Sequence, residues 1–518
     1  MDYIDKKIWI NTEYQQWIRD GCNINTNVTE LNLHGKNLIN LSESIDNLIN
    51  LQKMNCVSNG LIFLPNSLCN LINLRILYCY SNKLINLPKS FGNLINLQRI
   101  ECSNNRLENL PESFNNLINL QILNCGNNKL MNLPEIYNLI NLQELHCEYN
   151  EITNLPKFMS NLQILFYSHN KLINLPESLY DLINLQILYV NNNKLTNLSE
   201  SINNLINLRK LNCDYNKLLN LPEIYNLINL QELRCEYNEI TNLSESINNL
   251  INLQKLFCSY NKLINLPEFL YKLINLQMLY CSNNKLTNLP KSLSNLVNLQ
   301  ILDCSNNELT KLPKALCNLI NLKELNCCRN NLVKLPKFLG NLTNLYCFSC
   351  AENKLKKLPE SLSNITGLME LNCEDNKLTK LPKSLDKMIN LRALIFSCNE
   401  INTLSTTIIK LTNLENITYD DDKIKVSINL QRFIDKVNWD GYNNVADVYN
   451  ESIQTSLLNS INNLMSNTIT KYNFIDDNIL DDKTKNLLFN FIEDKNINNS
   501  LLLNFEELCM FVYKKIEN

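Results

Sequence analysis

The chain has 518 residues, with 48 Lys and Arg against 51 Asp and Glu and a formal net charge of −3. That balance gives no global field to recruit nucleic acid, and no run of ~18 apolar residues is present to span a membrane. The length exceeds what one compact core ordinarily supports, so the chain needs either several cores or an open-ended architecture.

The N-terminal stretch MDYIDKKIWINTEYQQWIRDG lacks the apolar segment of a signal peptide. Sequons such as Asn27-Val28-Thr29 are then by-products of an Asn-rich sequence, and the surplus of Asn, Ile and Lys over Ala and Gly points to an AT-rich genome. Residues 1–27 read as a cap. Asn11 is placed to N-cap a helix running to about Asp20, with Gly21 as its stop. Trp9, Trp17 and Ile18 would cover the open end of whatever follows.

From Val28 to Asn413 a 23-residue phrase recurs seventeen times. A clean copy is Leu299–Asn321, LQILDCSNNELTKLPKALCNLIN, or L-x-x-L-x-C-x-x-N-x-L-x-x-L-P-x-x-L-x-N-L-x-N by position. Leu302 and Cys304, at positions 4 and 6, alternate as on a strand and share a face. One such strand cannot bury that face, but identical neighbours stacked in parallel can. Asn307 at position 9 recurs in every copy but the first, which has Lys36. An inward amide there can satisfy backbone groups left unpaired where the strand turns away. Pro313 then starts a returning segment.

Thirteen of the 20 cysteines occupy position 6. The other copies carry Leu33, Tyr167, Val190 and Phe396 there, so the thiol serves as a small hydrophobe. Thiols rising in one line do not surround a metal tetrahedrally, and in a reducing cytosol they would stay free of disulfides. No metal site and no cofactor is expected.

The phrase resembles the leucine-rich repeat family over about three quarters of the chain. That resemblance implies an α/β solenoid over residues 28–417, with a curved parallel sheet on the concave face and short helical or 3₁₀ returns on the convex face. The L-P-x-x-L-x-N-L-x-N returns resemble the 23-residue class of intracellular signalling scaffolds, some of which engage small GTPases. Within the array, residues 120–207 match residues 208–298 far better than other segments match, as in NLPEIYNLINLQEL at both Asn132 and Asn220. A duplicated block suits growth of a binding surface.

After Asn413 only Leu414-Glu415-Asn416-Ile417 survives, as one last strand. Asp420-Asp421-Asp422 lacks the alternating ligands of a calcium loop and reads as a solvated boundary. Residues 424–518 change grammar. Ile453, Leu457, Leu458, Ile461 and Leu464 keep helical spacing, Leu487–Ile492 and Leu501–Ile516 suggest two more helices, and Trp439 would anchor this all-α region. NVADVYNESIQTSLLNSINNL resembles the C-terminal segment of leucine-rich repeat proteins of giant DNA viruses, which implies no known activity.

Catalytic signals are missing. The eight glycines are never closer than fourteen residues, so neither a P-loop nor a dinucleotide loop can form. The histidines are His34, His146 and His169. His146 stands between Glu144 and Glu148, but the duplicate block has Arg234 in its place, and Tyr260 where His169 stands. Some bacterial leucine-rich repeat effectors carry a ubiquitin ligase cysteine; here the tail offers only Cys509, among carboxylates and apolar residues that would raise its pKa.

The informative surface is the concave face, where positions 3 and 5 point outward and 7 and 8 flank them. The candidate protein-binding residues are Glu144, His146, Glu148, Tyr149, Phe166, Tyr189, Tyr215, Glu232, Arg234, Glu236, Tyr237, Phe257, Tyr260 and Tyr280. Interfaces favour aromatics with a polar edge, although aromatics on exposed strands also support a sheet through neighbour contacts. The four glutamates are expected to be exposed and to matter little to the fold. Asp303, Glu324, Glu352, Glu370, Glu374 and Asp375 turn the face acidic toward the C-terminus. A second surface carries Lys311, Lys334, Lys357 and Lys380 at position 13. Like charges stacked this way repel by roughly 1 kcal/mol in water, which makes the column a candidate for an anionic partner; without interleaved aromatics it does not suit single-stranded nucleic acid.

These residues point to a non-enzymatic scaffold binding a protein on its concave face. The alternatives are a substrate adaptor for a ubiquitin ligase or a host-directed effector and, third, an enzyme acting through the C-terminal region. A cytoplasmic monomer is expected, in a host cell if the viral resemblance holds.

Overall fold

The computed structural model describes residues 7–157 and 161–440, and the chain divides into two compact units, Met1–Leu322 and Lys323–Asn518.

The first unit begins with β1 (Ile8–Ile10), which runs directly into α1 (Asn11–Arg19). Three-residue strands then follow at the repeat period, from β2 (Glu30–Asn32) to β14 (Ile301–Asp303). Each pairs in parallel with the next, as in β12 (Lys255–Phe257), where Leu256 lies opposite Leu279 of β13 (Met278–Tyr280). From β2 to β14 the central residue of each strand is buried and its flanks are half-buried. That is position 4 facing inward, with positions 3 and 5 on the outer face. Leu299, Leu302, Cys304, Leu309, Leu316 and Leu319 are all fully buried, so one repeat contributes one layer of a continuous apolar core.

Most returns are 3₁₀ helices of one turn or slightly more, while those after β6 (Ile122–Asn124) and β10 (Lys210–Asn212) are turns. Pro290 with φ −63° precedes one at Lys291–Asn295. Where Ser replaces Pro, its hydroxyl takes over the start: Ser199 and Ser244 accept from the backbone N–H of Ser201 and Ser246. The strand exit is left-handed at position 8 in every repeat, at φ 52° for Tyr215 and Tyr237 and 54° for Tyr260.

The cap differs from expectation in two ways. β1 is itself a strand of the sheet, pairing with β2. It holds Ile10 extended, so Ile10 takes the N-cap position and Asn11 is already helical; the Ile10 N–H donates to Glu13 Oε2 at 3.2 Å. Trp9 and Trp17 are buried, Trp17 donating from its ring to the Asn23 carbonyl at 2.7 Å, whereas Ile18 stays 36% exposed. Gly21 ends the helix at φ +89° as expected.

The second unit continues the pattern with β15 (Glu324–Asn326), β16 (Cys347–Ser349), β17 (Glu370–Asn372), β18 (Ala393–Ile395) and β19 (Asn416–Thr418), again parallel. Its end corrects the reading of Asp420. The Asp420 carboxylate accepts the N–H of Cys398 at 2.9 Å and of Asn399 at 3.3 Å, and these bonds hold it below the usual carboxylate range. Asp420 therefore terminates the ladder, and only Asp421 and Asp422 are solvated. A helix not foreseen, α2 (Ile428–Asp440), packs behind β19 through Leu430, Ile434 and Val437. Asn438 accepts the Ile417 N–H at 3.0 Å. The helices expected beyond residue 440, and the Trp439 side chain, lie outside the described residues.

Candidate interaction face

The outer face of the first unit's sheet is ordered by position rather than by residue. Position 5 forms one column. The His146 ring stands edge-on to Phe166 at 4.7 Å, and Phe166 stacks on Tyr189 at 4.9 Å. Two strands further on, the Arg234 guanidinium lies 4.3 Å over Phe257, which stacks on Tyr280 at 5.0 Å. Position 8 forms a second column: Tyr149 stacks on His169 at 4.0 Å, and Tyr215, Tyr237 and Tyr260 stack in succession at 4.0 Å each. The aromatic residues singled out in the sequence thus separate into two parallel files. The left-handed backbone aims each position-8 ring along the stack, and the Tyr215 and Tyr260 hydroxyls hold the Tyr237 phenol above its ordinary pKa.

The charged residues correct the expectation that the glutamates stand apart from the fold. Arg234 is the hub of a network on β10 (Lys210–Asn212), β11 (Glu232–Arg234) and β12. It donates to Asp214 Oδ2 at 2.8 Å and Glu236 Oε2 at 3.1 Å, and lies 4.0 Å from Glu232, which also meets Lys255 at 3.8 Å. Asp214 is 4% exposed, and its second oxygen accepts the Glu236 N–H at 2.6 Å. Burial raises the Asp214 carboxyl even against Arg234, and burial together with the Asp214 charge raises Glu236. Burial works against the Arg234 charge too, but its hydrogen bond and ion pair with Asp214 outweigh that. The two directions agree physically, because Asp214 is almost out of water and Arg234 only half so.

Asp214 was missed by sequence reasoning. The legible signal was an acid at position 7 one strand before an Arg at position 5. The first duplicated block has Gly126 in that place. There Glu148 reaches into the vacated space, its Oε1 2.8 Å from where a Cβ on Gly126 would lie. His146 meets Glu144 at 3.3 Å. The two blocks share their aromatic files and differ in the charged element packed against them.

In the second unit the acids are partly engaged. Glu352 pairs with Arg329 at 2.7 Å, Glu374 accepts from the Ser397 hydroxyl at 2.7 Å, and Glu324 accepts from the Tyr346 hydroxyl. Lys334, Lys357 and Lys380 are exposed on this unit, and Lys311 is exposed on the first. The position-6 thiols point inward, and most donate to a backbone carbonyl of the next repeat, as from Cys213 to Arg234 O at 3.1 Å and from Cys281 to Asp303 O at 3.3 Å. Burial pushes the Cys56 and Cys373 thiols up to about 12.

Comparison with known proteins agrees with this geometry. Residues 268–375 match the model of a leucine-rich repeat region, and residues 96–117 match that of a single leucine-rich repeat. A leucine-rich repeat protein of Leptospira interrogans is 32% identical, with a TM-score of 0.65, and the match covers 79% of this chain and 99% of that one. This chain is a leucine-rich repeat protein. The plant peptide hormone receptor RGFR1, in complex with RGF2, is 25% identical with a TM-score of 0.65, over 77% of this chain and 71% of that one. The functional domain of InlJ from Listeria monocytogenes, which includes a cysteine ladder, is 26% identical with a TM-score of 0.50, over 64% and 66% of the two chains. No curated protein matches the sequence. Leucine-rich repeat folds commonly serve protein–protein interaction, and no helix among the described residues is long and apolar enough to cross a membrane.

Proposed function

We propose that this leucine-rich repeat protein is a non-catalytic scaffold that binds a protein partner on the outer sheet face of its duplicated blocks. One observation carries the reading. Both blocks keep a position-5 and a position-8 aromatic file, and Tyr149, Tyr215 and Tyr260 remain 54%, 47% and 44% exposed. Stacking within a file explains the contacts between rings but not why their outer edges face water, and such amphipathic rings supply interface area at low entropic cost. Asp214, Glu236 and Arg234 add a rigid charged group beside them, already held in place before a partner arrives. An intracellular setting belongs to the proposal; its support is the column of buried thiols, which suits a reducing compartment.

The test is the triple variant Tyr215→Ser, Tyr237→Ser, Tyr260→Ser. The chain carries Ser58 and Ser81 at position 8 with the same left-handed φ, so Ser fits the backbone. The variant should keep the wild-type circular dichroism and lose at least tenfold in capture of the proteins that the wild type retains from a cell extract. Equal capture by a folded variant would move the site off this face, with the flank of Lys334, Lys357 and Lys380 next to be tested.

A further inference from the structure

Position 22, just before each strand, lies off the sheet face and is aliphatic along most of the first unit. Ile183, Ile206, Ile228, Ile251, Ile274 and Val297 are each between 49% and 57% exposed. They form an unbroken file, and its spacing is locked. The position-23 asparagine of each following repeat donates its side-chain amide to the position-22 carbonyl of the preceding one. The five bonds, from Asn207 to Ile183 through Asn298 to Ile274, are all 2.9 Å long. At about 4.8 Å per step the file runs roughly 24 Å. Position 12 contrasts with it, because exposed Leu219 and Ile264 alternate there with Thr196, Thr241 and Thr287. A continuous strip of half-exposed aliphatics sits at the upper end of the ~300–600 Å² that the largest apolar patch on a monomer covers.

We propose that the protein forms a dimer with a second copy of itself through this strip. The rim indicates the occupant. It consists mainly of carboxamides, Asn207, Asn229 and Asn252 with Gln186, Gln231 and Gln254, and its charged residues are Asp181, Arg209 and Lys272. A carboxamide is both donor and acceptor, so this rim complements itself under a two-fold axis, and Asp181 near one end and Lys272 near the other give the two ends opposite charges, which a second copy lying antiparallel would pair. A file of side chains at one pitch interdigitates best with another file of that pitch, which a second copy supplies. Together with its rim, the strip approaches the ~800 Å² that each partner gives to an interface of standard size. The expectation of a monomer does not hold under this proposal.

Sedimentation equilibrium of the full chain in reducing buffer tests it, beside two variants changed at Ile206, Ile228 and Ile251. The first carries Thr at all three, a residue the chain itself uses at position 22 as Thr343, Thr366 and Thr412. The second carries Lys. The wild type should be dimeric, the Thr variant at least tenfold weaker in association, and the Lys variant monomeric. Capture of other proteins by the sheet face should be unchanged in both. A wild type that stays monomeric at the highest concentration reached, or variants that dimerise as the wild type does, would overturn the proposal.

Discussion

At the scale of single residues, the network around Arg234 makes a pH prediction with a definite sign. Asp214 and Glu236 have folded pKa values above their unfolded ones. Folding therefore favours their protonated forms. The stability they contribute is full below the unfolded carboxylate pKa of about 4 and is lost as pH rises through the folded values. Asp214→Asn removes one of these groups and lowers the other by removing its charged neighbour. Thermal unfolding between about pH 4 and pH 7 should show the wild type gaining on the variant as the solution is acidified. A difference that is flat or opposite in slope would mean that Asp214 is not the buried carboxylate described here. The thiols make a second prediction. Reaction needs a thiolate and access, and Cys56, Cys213, Cys258, Cys281 and Cys373 have neither. Alkylation of the native protein at about pH 8 should label exposed Cys398 well before these five, which stay unmodified until denaturant is added. Mapping by peptide mass reads the order, and early labelling of Cys258 or Cys281 would contradict the packing.

At the scale of the repeat, two asparagines do different jobs. The position-9 residue works inside the turn. Asn216 donates to the carbonyls of Val190, Cys213 and Asp214 at 3.0 to 3.1 Å and accepts the Leu195 N–H at 3.0 Å. One side chain thus stitches two repeats together where the strand hydrogen bonds stop. Asn216→Ala would leave several buried backbone groups without partners, at about 1–3 kcal/mol for each left unsatisfied. A loss of roughly 3 kcal/mol is expected once the turn relaxes, with raised hydrogen exchange on both flanking strands. The matched change Asn197→Ala, at exposed position 13, should cost far less. Equal effects would show that the inward amide is not the stitch. The position-23 residue works on the surface, and its role was not inferred from the motif. The spacing L-x-N placed it, but only its bond to the preceding position-22 carbonyl shows that it sets the pitch of the aliphatic file.

At the scale of whole units, the open ends carry the vulnerability, because an end repeat has only one neighbour. Leu31 and Leu33 are fully buried only because β1 and α1 cover them, with the Trp9 and Tyr14 rings tilted against Trp17 at 6.1 Å and 5.8 Å. Trp17→Ala should cost about 3–5 kcal/mol by the usual penalty for emptying a buried aromatic site. It should also raise hydrogen exchange in β2 before the strands nearer Ile301. Uniform exchange along the first unit would mean that the cap does not control the end. In the second unit α2 serves β19 in the same way, replacing the missing next repeat with Leu430, Ile434 and Val437.

The period alone determined most of the architecture. Seventeen copies of one phrase leave little choice of strand, return or inward face, because each residue type recurs where the same local geometry recurs. The buried Leu and Cys columns, the Asn turn and the Pro-led return were therefore legible from spacing. The candidate face was legible only in part. Its residues could be named, but not their grouping into separate position-5 and position-8 files, which depends on the left-handed exit at Tyr215, Tyr237 and Tyr260. Asp214 could not be distinguished from a surface acid until β11 placed Arg234 beside it and burial removed the water. Glu148 and Glu236 looked alike in the sequence and differ in the fold, since one fills the space over Gly126 and the other joins an ion pair. A repeating sequence specifies what each layer does by itself, whereas contacts across layers depend on which residues occupy the neighbouring rungs. Those contacts decide charge state, exposure and the continuity of a surface, and only the stacked structure sets them.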